Sequence, residues 1–467
     1  MNLTSDQIKA LSPDSASFAS GQSLSLSGQW KNCGQSADAI WGECQGSGKS
    51  PYQIRIDQRE FAYRCSCPSR KLPCKHVLGL LLLSVNNSAS VPQSDEPDWI
   101  TQWLADRDGR AQKKSEKIAT DGTPKKVDEK AQLKRIAERR SRVDAGIGQF
   151  ENWLCDLVRV GIADLDRKPL AFWDDQSKRL IDSQAPGLAA KIQHISELVG
   201  IGEGWHERIL GELGRLALLI KAYRKLDQLD KNLQDEIRQQ IGWTVDQKAL
   251  AESGEKIYDQ WLLLGQSYEL NTKIQTQRNW YYGIQSGRFL LYLQFAAGKN
   301  AATTNITGFA ETHVSGSIVD AEVVFWTGTD RLRGKFLDRK TIILPEQQKN
   351  QTENKHNEKY TNGFFVTKNN TATITNFLDD QAERFATQIW SEIFPMWLDG
   401  VAVYPPKISQ DNWTISDGRY ILPLVSGEHW QLLAISCGNP VRIFGEWDGY
   451  KLKPLSVHTQ NKFYPIH

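Results

Sequence analysis

The chain reads as a multidomain α+β protein with a small ββα module, a central helical bundle and a C-terminal β-rich α+β domain. Three observations predict this. Four cysteine and histidine residues crowd into the twelve positions from Cys65 to His76. Between Asp144 and Asn271, apolar residues recur at three- and four-residue steps. From Ile274 onwards the period shortens to two. At 467 residues the chain is also too long for one compact core.

Residues 1–86 form the first unit. Tyr52 to Asp57 and Phe61 to Arg64 alternate apolar and polar residues, as half-buried strands do, about the turn-like Gln58-Arg59-Glu60. Val77 to Leu83 then supplies a short apolar helix, and Ser84 to Pro97, rich in Ser, Asn and Pro, reads as a linker. Residues 87–143 are polar and basic. From Arg107 to Arg142 there are 13 Lys/Arg against 6 Asp/Glu, a local net charge of +7. Its first half holds Gly109, Gly122 and Pro124 and is expected to lack regular structure, whereas Asp128 to Val143 is expected as a charged helix.

Residues 144–273 are expected to be helical. Ile147, Phe150, Leu154, Leu157, Val158 and Ile162 make one apolar stripe. Ile209, Leu210, Leu213, Leu216, Ala217 and Ile220 make a second, and Leu229, Leu233, Ile237 and Ile241 a third. Pro186 sits where a helix can restart. In residues 274–467 the expected strands are Arg288 to Phe295, Ser317 to Trp326, Arg419 to Leu424, Trp430 to Ile435 and Val441 to Trp447. A helix from Gln381 to Phe394 is expected to stop at Pro395, and residues 345–376, rich in Asn, Gln, Lys and Thr, read as a mobile insertion.

Composition narrows the function. Hydrophobic residues at 40% and charged residues at 24% suit a soluble globular protein, and a net charge of +2 excludes a molecule that is basic all over. Met1 to Leu24 has neither a basic segment nor an apolar run, so no secretory leader is expected. The longest apolar run, Val77 to Leu83, is far short of the roughly 20 residues that span a bilayer. The expectation is a cytoplasmic protein with no membrane partner, where seven cysteines point to metal ligation rather than disulfides.

The tight cluster runs Cys65-Ser-Cys67-Pro68, then Cys74-Lys-His76. Three thiolates and one imidazole satisfy the four tetrahedral positions that zinc prefers. Residues two apart on a strand share a face, so Cys65 and Cys67 can present both sulfurs to one ion, while Pro68 to Pro73 returns the chain to it. With all four positions filled by protein, the single Zn2+ is structural. The bland alternative is that the cysteines are merely small buried side chains.

These residues resemble the SWIM zinc-finger family, whose pattern is Cys-x-Cys, a variable gap, then Cys-x-His; the ligands fall on Cys65, Cys67, Cys74 and His76 within a finger at about 52–84. Trp41-Gly-Glu-Cys-Gln-Gly-Ser-Gly-Lys-Ser-Pro-Tyr52, Asp182-Ser-Gln-Ala-Pro-Gly-Leu-Ala189 and Gly445-Glu-Trp-Asp-Gly449 extend the similarity to bacterial SWIM finger proteins. The resemblance implies zinc and a role in binding DNA or protein. Bacterial relatives are encoded near MoxR-type AAA ATPases and von Willebrand A-domain proteins, which implies such a protein as partner.

Other constellations carry less. Gly48-Lys49-Ser50 suggests a phosphate loop, but Glu43 stands where glycine is required, and a strand-like segment follows in place of a helix. Cys33 and Cys44 read as packed residues or an extension of the metal site, Cys155 as core, and Cys437 as a turn thiol without an activating neighbour. The remaining histidines are scattered, and Asp174-Asp175 and Asp379-Asp380 are adjacent carboxylates that do not share a helix face. No catalytic constellation emerges, so the chain reads as a protein-interaction scaffold rather than an enzyme. The alternative is a DNA-binding protein using the finger and the basic linker, whose Lys113-Lys114, Lys125-Lys126, Lys134-Arg135 and Arg139-Arg140 suit phosphates. A third reading is an unrecognised enzyme in the C-terminal region.

Overall fold

A computed structural model describes residues 5–12, 15–26, 28–46, 50–59, 62–69, 73–120, 129–202, 204–270, 274–297, 309, 313–343, 372–385, 388–406, 412–459 and 463–466. Helices α1 (Ser5–Ala10) and α2 (Ser15–Ser25) precede an antiparallel sheet of β1 (Trp30–Gln35), β2 (Ala39–Cys44), β3 (Tyr52–Asp57) and β4 (Ala62–Cys65), followed by α3 (Lys75–Asn86). The expected pair of strands is therefore the second half of a four-strand meander. β1 and β2 escape a search for alternation because β1 is irregular between Lys31 and Gly34, and β2 is buried on both faces.

α3 is buried from His76 to Leu83, as an all-round apolar helix must be. α2 crosses it closely, since a methyl group on Gly21 would stand 2.8 Å from Leu78 Cβ. The opposite face of the sheet is covered by α4 (Asp98–Thr120), whose Ile100, Trp103 and Leu104 pack on Ala39 and Trp41. The Arg55 and Arg107 guanidinium groups lie 4.9 and 5.6 Å from the Trp99 and Trp103 ring centres. Buried Asp57 accepts from Arg59 at 3.0 Å and Arg107 at 3.3 Å. Burial alone would raise its carboxyl, but the hydrogen bonds from Arg59 and the charge of Arg107 hold it below the usual range.

This corrects the expected linker. Residues 107–120, read as lacking regular structure, are helical; Gly109 has open space around it and costs the helix only about 1 kcal/mol. Gly122 and Pro124 lie outside the described residues. The expected charged helix is the first half of α5 (Glu129–Val160), which continues into the bundle.

α5 packs with α6 (Leu170–Asp182), α7 (Pro186–Leu198), α8 (Trp205–Arg224) and α9 (Lys231–Ile241), and the short α10 (Gln247–Ser253) follows. Their core contains Ile147, Phe150, Trp173, Leu188, Ile209, Leu213 and Ile237. Pro186 opens α7 as expected, and Asp230 caps α9 by accepting from Leu233 N at 3.1 Å. Gly187 is required by packing, because a Cβ there would lie 2.2 Å from the Gln240 carbonyl. Val158 and Leu210, placed on apolar stripes by spacing, are exposed instead.

The C-terminal part holds two sheets. The first is ordered β7-β6-β5-β8-β9, from β5 (Lys256–Leu270), β6 (Ile274–Gly283), β7 (Phe289–Ala297), β8 (Ile318–Phe325) and β9 (Gly334–Ile343). The second is ordered β12-β11-β10-β13-β14-β15, from β10 (Phe394–Tyr404), β11 (Thr414–Ser416), β12 (Ile421–Pro423), β13 (Val441–Trp447), β14 (Leu452–His458) and β15 (Phe463–Pro465). Helices α11 (Ile374–Phe385) and α12 (Trp430–Ser436) pack on the second sheet. The sheets meet through Leu262, Leu264, Trp280 and Tyr282 against Trp397, Phe444 and Leu455. Within that interface Glu446 accepts from Ser267 Oγ and Trp280 Nε1, both at 2.7 Å, and from Arg278 Nε at 3.0 Å.

Three expectations fail here. β5 lies in the stretch expected to be helical, but Trp261-Leu-Leu-Leu264 is buried on both faces and its unbroken apolar run shows no period of two. Trp430 to Ile435 is helix α12, which buries Leu432 and Ser436 four apart and leaves Trp430 exposed. The helix expected from Gln381 to Phe394 is α11, ending at Phe385, and Pro395 lies inside β10 opposite Glu446. Of the expected insertion, residues 345–371 lie outside the described residues and Ile374 opens α11.

The parts touch. Trp390 joins the bundle core and donates to the Arg215 carbonyl at 3.2 Å, and Lys191 pairs with Glu392. Val314 packs within the N-terminal core. Among the described residues no helix is long and apolar enough to cross a membrane.

His458, fully buried beside Trp397, Phe463 and Ser456, has its pKa pushed down to about 3 by burial and by the charge of Arg442. An unfolded imidazole titrates near about 6.5. This group therefore leaves stability unchanged above that pH and subtracts up to about 1.4 kcal/mol per pH unit as the pH falls toward 3. Urea midpoints measured from pH 8 to 4 are expected to decline below about pH 6.5, and His458→Leu to make the decline shallower.

Candidate metal centre

Two elements carry the site. β4 ends at Cys65, whose Cα pairs with Ile54, and one further rung holds the chain beyond it: Ser66 N donates to the Gln53 carbonyl at 3.0 Å. Cys67 follows. On the other side Cys74 is the N-cap of α3 and His76 lies in its first turn. That turn contains no acidic residue, so negative sulfur is the charge available to meet the positive end of the helix.

The structure brings all four sequence-predicted residues together. The ligand atoms of Cys65, Cys67, Cys74 and His76 lie within 4.8 Å of one another. His76 Nδ1 stands 3.9 Å from Cys65 Sγ and 4.0 Å from Cys74 Sγ. Zinc–sulfur bonds of about 2.3 Å and zinc–nitrogen bonds of about 2.0–2.1 Å imply tetrahedral edges of about 3.6–3.8 Å. A zinc ion fits with a contraction of a few tenths of an ångström at the two histidine contacts and of up to about 1 Å across the widest pair of donors. Cys74 and His76 are buried, Cys65 and Cys67 half-buried, and the Tyr52 ring leans on His76 at 4.9 Å.

The electrostatics point the same way. Hydrogen bonds from Cys65, Cys74 and His76 hold the Cys67 sulfur well below the usual thiol range. The Cys65 thiol is pushed up by its hydrogen bonds to Cys67 and Cys74 and by burial. Cys74 is pushed up to about 11, because its hydrogen bond with Cys65, which lowers it, is outweighed by the one to Cys67 and by burial. Three sulfurs this close compete for protons unless a cation takes their charge, and a metal that binds them must release those protons. Four protein donors leave no coordination position for a water to be activated.

The other candidates lie elsewhere. Cys44 is buried in the module's core and Cys33 is half-buried on β1; burial raises both thiols, that of Cys33 to about 11, and neither belongs to the four-donor cluster. Cys155, read as core, is exposed, one position off the stripe of Ile147, Phe150 and Leu154. Cys437 is exposed in a left-handed turn. The segment that resembled a phosphate loop joins β2 to β3, with a strand in place of a helix; residues 47–49 lie outside the described residues. Asp174, Asp175, Asp379 and Asp380 are exposed.

Of the basic linker, Arg139 donates to the Gly242 carbonyl at 3.3 Å and covers the Trp243 ring, and Arg140 pairs with Asp227 at 2.9 Å. Lys134 is exposed, whereas the side chains of Lys113, Lys114, Lys125, Lys126 and Arg135 lie outside the described residues. Sequence reasoning missed the buried Asp57 with Arg59 and Arg107, and the seating of Tyr52 on His76. Asp57 and Arg107 are fifty residues apart, and no local pattern joins them.

Two family models match the chain. Residues 48–84 match the SWIM zinc finger, and residues 138–241 match the SWIM-associated four-helix bundle domain. No curated protein and no solved structure gives a match. The finger takes one structural Zn2+ in its Cys3His cluster.

Structural zinc contributes about 10–16 kcal/mol to folding in finger peptides, as much as the whole stability of an ordinary domain at about 5–15 kcal/mol. Cys67→Ser is therefore expected to abolish stoichiometric zinc and to unfold the N-terminal module while the bundle stays folded. Metal analysis combined with limited proteolysis checks this; one zinc per chain in the variant would contradict it.

Proposed function

We propose that the protein is a zinc-dependent protein-interaction scaffold in which Cys65 Sγ, Cys67 Sγ, Cys74 Sγ and His76 Nδ1 hold one structural zinc ion. The observation that carries this reading is the closed donor set, which fastens a strand end to a helix start and offers no reactive position. In this reading the N-terminal module, with α4 docked on its sheet, is the metal-stabilised recognition unit, and the helical bundle and the C-terminal sheets, which begin with β5 at Lys256, are the two larger docking bodies. A MoxR-type AAA ATPase or a von Willebrand A-domain protein is the partner that the family resemblance favours.

DNA binding through the finger and the basic helices is the second reading. The local charge of +7 and the exposed Lys134 favour it. Against it, Arg139 and Arg140 are engaged within the bundle.

Affinity purification of the full chain from native cells, with and without nuclease, separates the two. The scaffold reading expects protein partners that survive nuclease. Loss of every partner on nuclease treatment would transfer the assignment to DNA.

A further inference from the structure

α8 turns Ile209, Leu213, Leu216 and Ile220 toward the bundle core. Its other face ought to be polar, as the outward face of a surface helix is. It carries instead Leu210 and Leu218, 53% and 47% exposed. Between them lie Gly211 and Gly214, also exposed, and a methyl group built on either meets nothing within 4 Å. Alanine would fit both positions and make a better helix, so among the described residues nothing calls for glycine there. Glu207 and Lys221, both exposed, bracket the patch, and among the described residues no ion pair joins either one.

The pattern is self-complementary. Counting from Gly214, Leu210 lies four residues before and Leu218 four after, while Glu207 lies seven before and Lys221 seven after. Steps of four and seven keep all these positions on one helix face. A second α8 laid antiparallel across the first, with the two-fold axis at Gly214, sets Leu210 of one copy beside Leu218 of the other and Glu207 beside Lys221, each contact made twice. Such an isologous arrangement is what a two-fold dimer requires. The glycines let the helix axes approach toward the near end of the usual range of about 8–10 Å.

We propose that this face of α8 is a self-association surface, and that its occupant is a second copy of this chain held by the paired leucines and the Glu207–Lys221 charge pairs. One helix pair is small beside the roughly 1,200–2,000 Å² of a stable interface, so the association is weak and depends on concentration.

Sedimentation velocity of the full, zinc-loaded chain from about 1 to 200 µM tests it. The wild type is expected to move from a 52.9 kDa monomer toward twice that mass. Leu218→Glu, at an exposed position that leaves the circular dichroism spectrum unchanged, is expected to keep the chain monomeric. Glu207→Lys alone is expected to weaken association about fivefold, by setting lysine against lysine twice, and adding Lys221→Glu to restore it. Wild-type protein that stays monomeric throughout would overturn the proposal, whatever other protein is later found on this face. So would a dimer indifferent to Leu218→Glu, or a double charge swap that fails to recover.

Discussion

β4 has four residues and, among the described residues, pairs with β3 alone. Beyond it the chain must leave the sheet, cross a proline-bounded loop and enter α3, the helix on which the module's core is built. What ties these ends together is the convergence of three sulfurs and one imidazole within 4.8 Å. Their thiols are set against one another: the Cys67 sulfur is held below the usual thiol range by its hydrogen bonds, while Cys65 and Cys74 are pushed above it. A zinc ion held by Cys65, Cys67, Cys74 and His76 would replace that competition with four bonds and fasten the start of α3 to the end of the strand.

Much of the N-terminal structure depends on that fastening. With α3 fixed, Val77 to Leu83 closes against Ile40, Ile54 and Ile56, and α2 crosses at glycine distance. The sheet so formed offers its other face to α4, held by Trp103 and by the arginines that converge on Asp57. α4 is thus the physical link between the finger and the segment that becomes α5 of the bundle. The bundle in turn is tied to the C-terminal sheets through Trp390 and the Lys191–Glu392 pair, and Val314 of the C-terminal part packs directly in the core of the N-terminal module.

What was legible in the sequence is what is local. The four donors fall within twelve residues, and zinc chemistry constrains them so tightly that spacing alone brings them out. The bundle announced itself because stripes such as Ile209, Leu213, Leu216 and Ile220 repeat at helical spacing. Where burial is two-sided the signal vanishes, as in β2 and in Trp261 to Leu264 of β5. Pro395 reads as a helix stop because proline cannot continue a helix, yet it stands in β10. α4 read as a linker because polarity and glycine outweighed three apolar residues whose partners, Ala39 and Trp41, lie some sixty residues earlier. The cluster of four candidate donors was readable because it needed no knowledge of the fold, whereas Asp57 with Arg107 was not, because it required all of it.

The central claim is that zinc organises the N-terminal module and, through it, the docking of α4, while leaving the bundle to its own core. Hydrogen exchange of the intact chain, read by mass spectrometry with zinc and after chelation, tests it most directly. The account predicts that chelation exposes the amides of β2 to α3 and of the first turns of α4, while those of α6 to α9 keep their protection. Unchanged protection across residues 39–86, or an equal loss through the bundle, would contradict it.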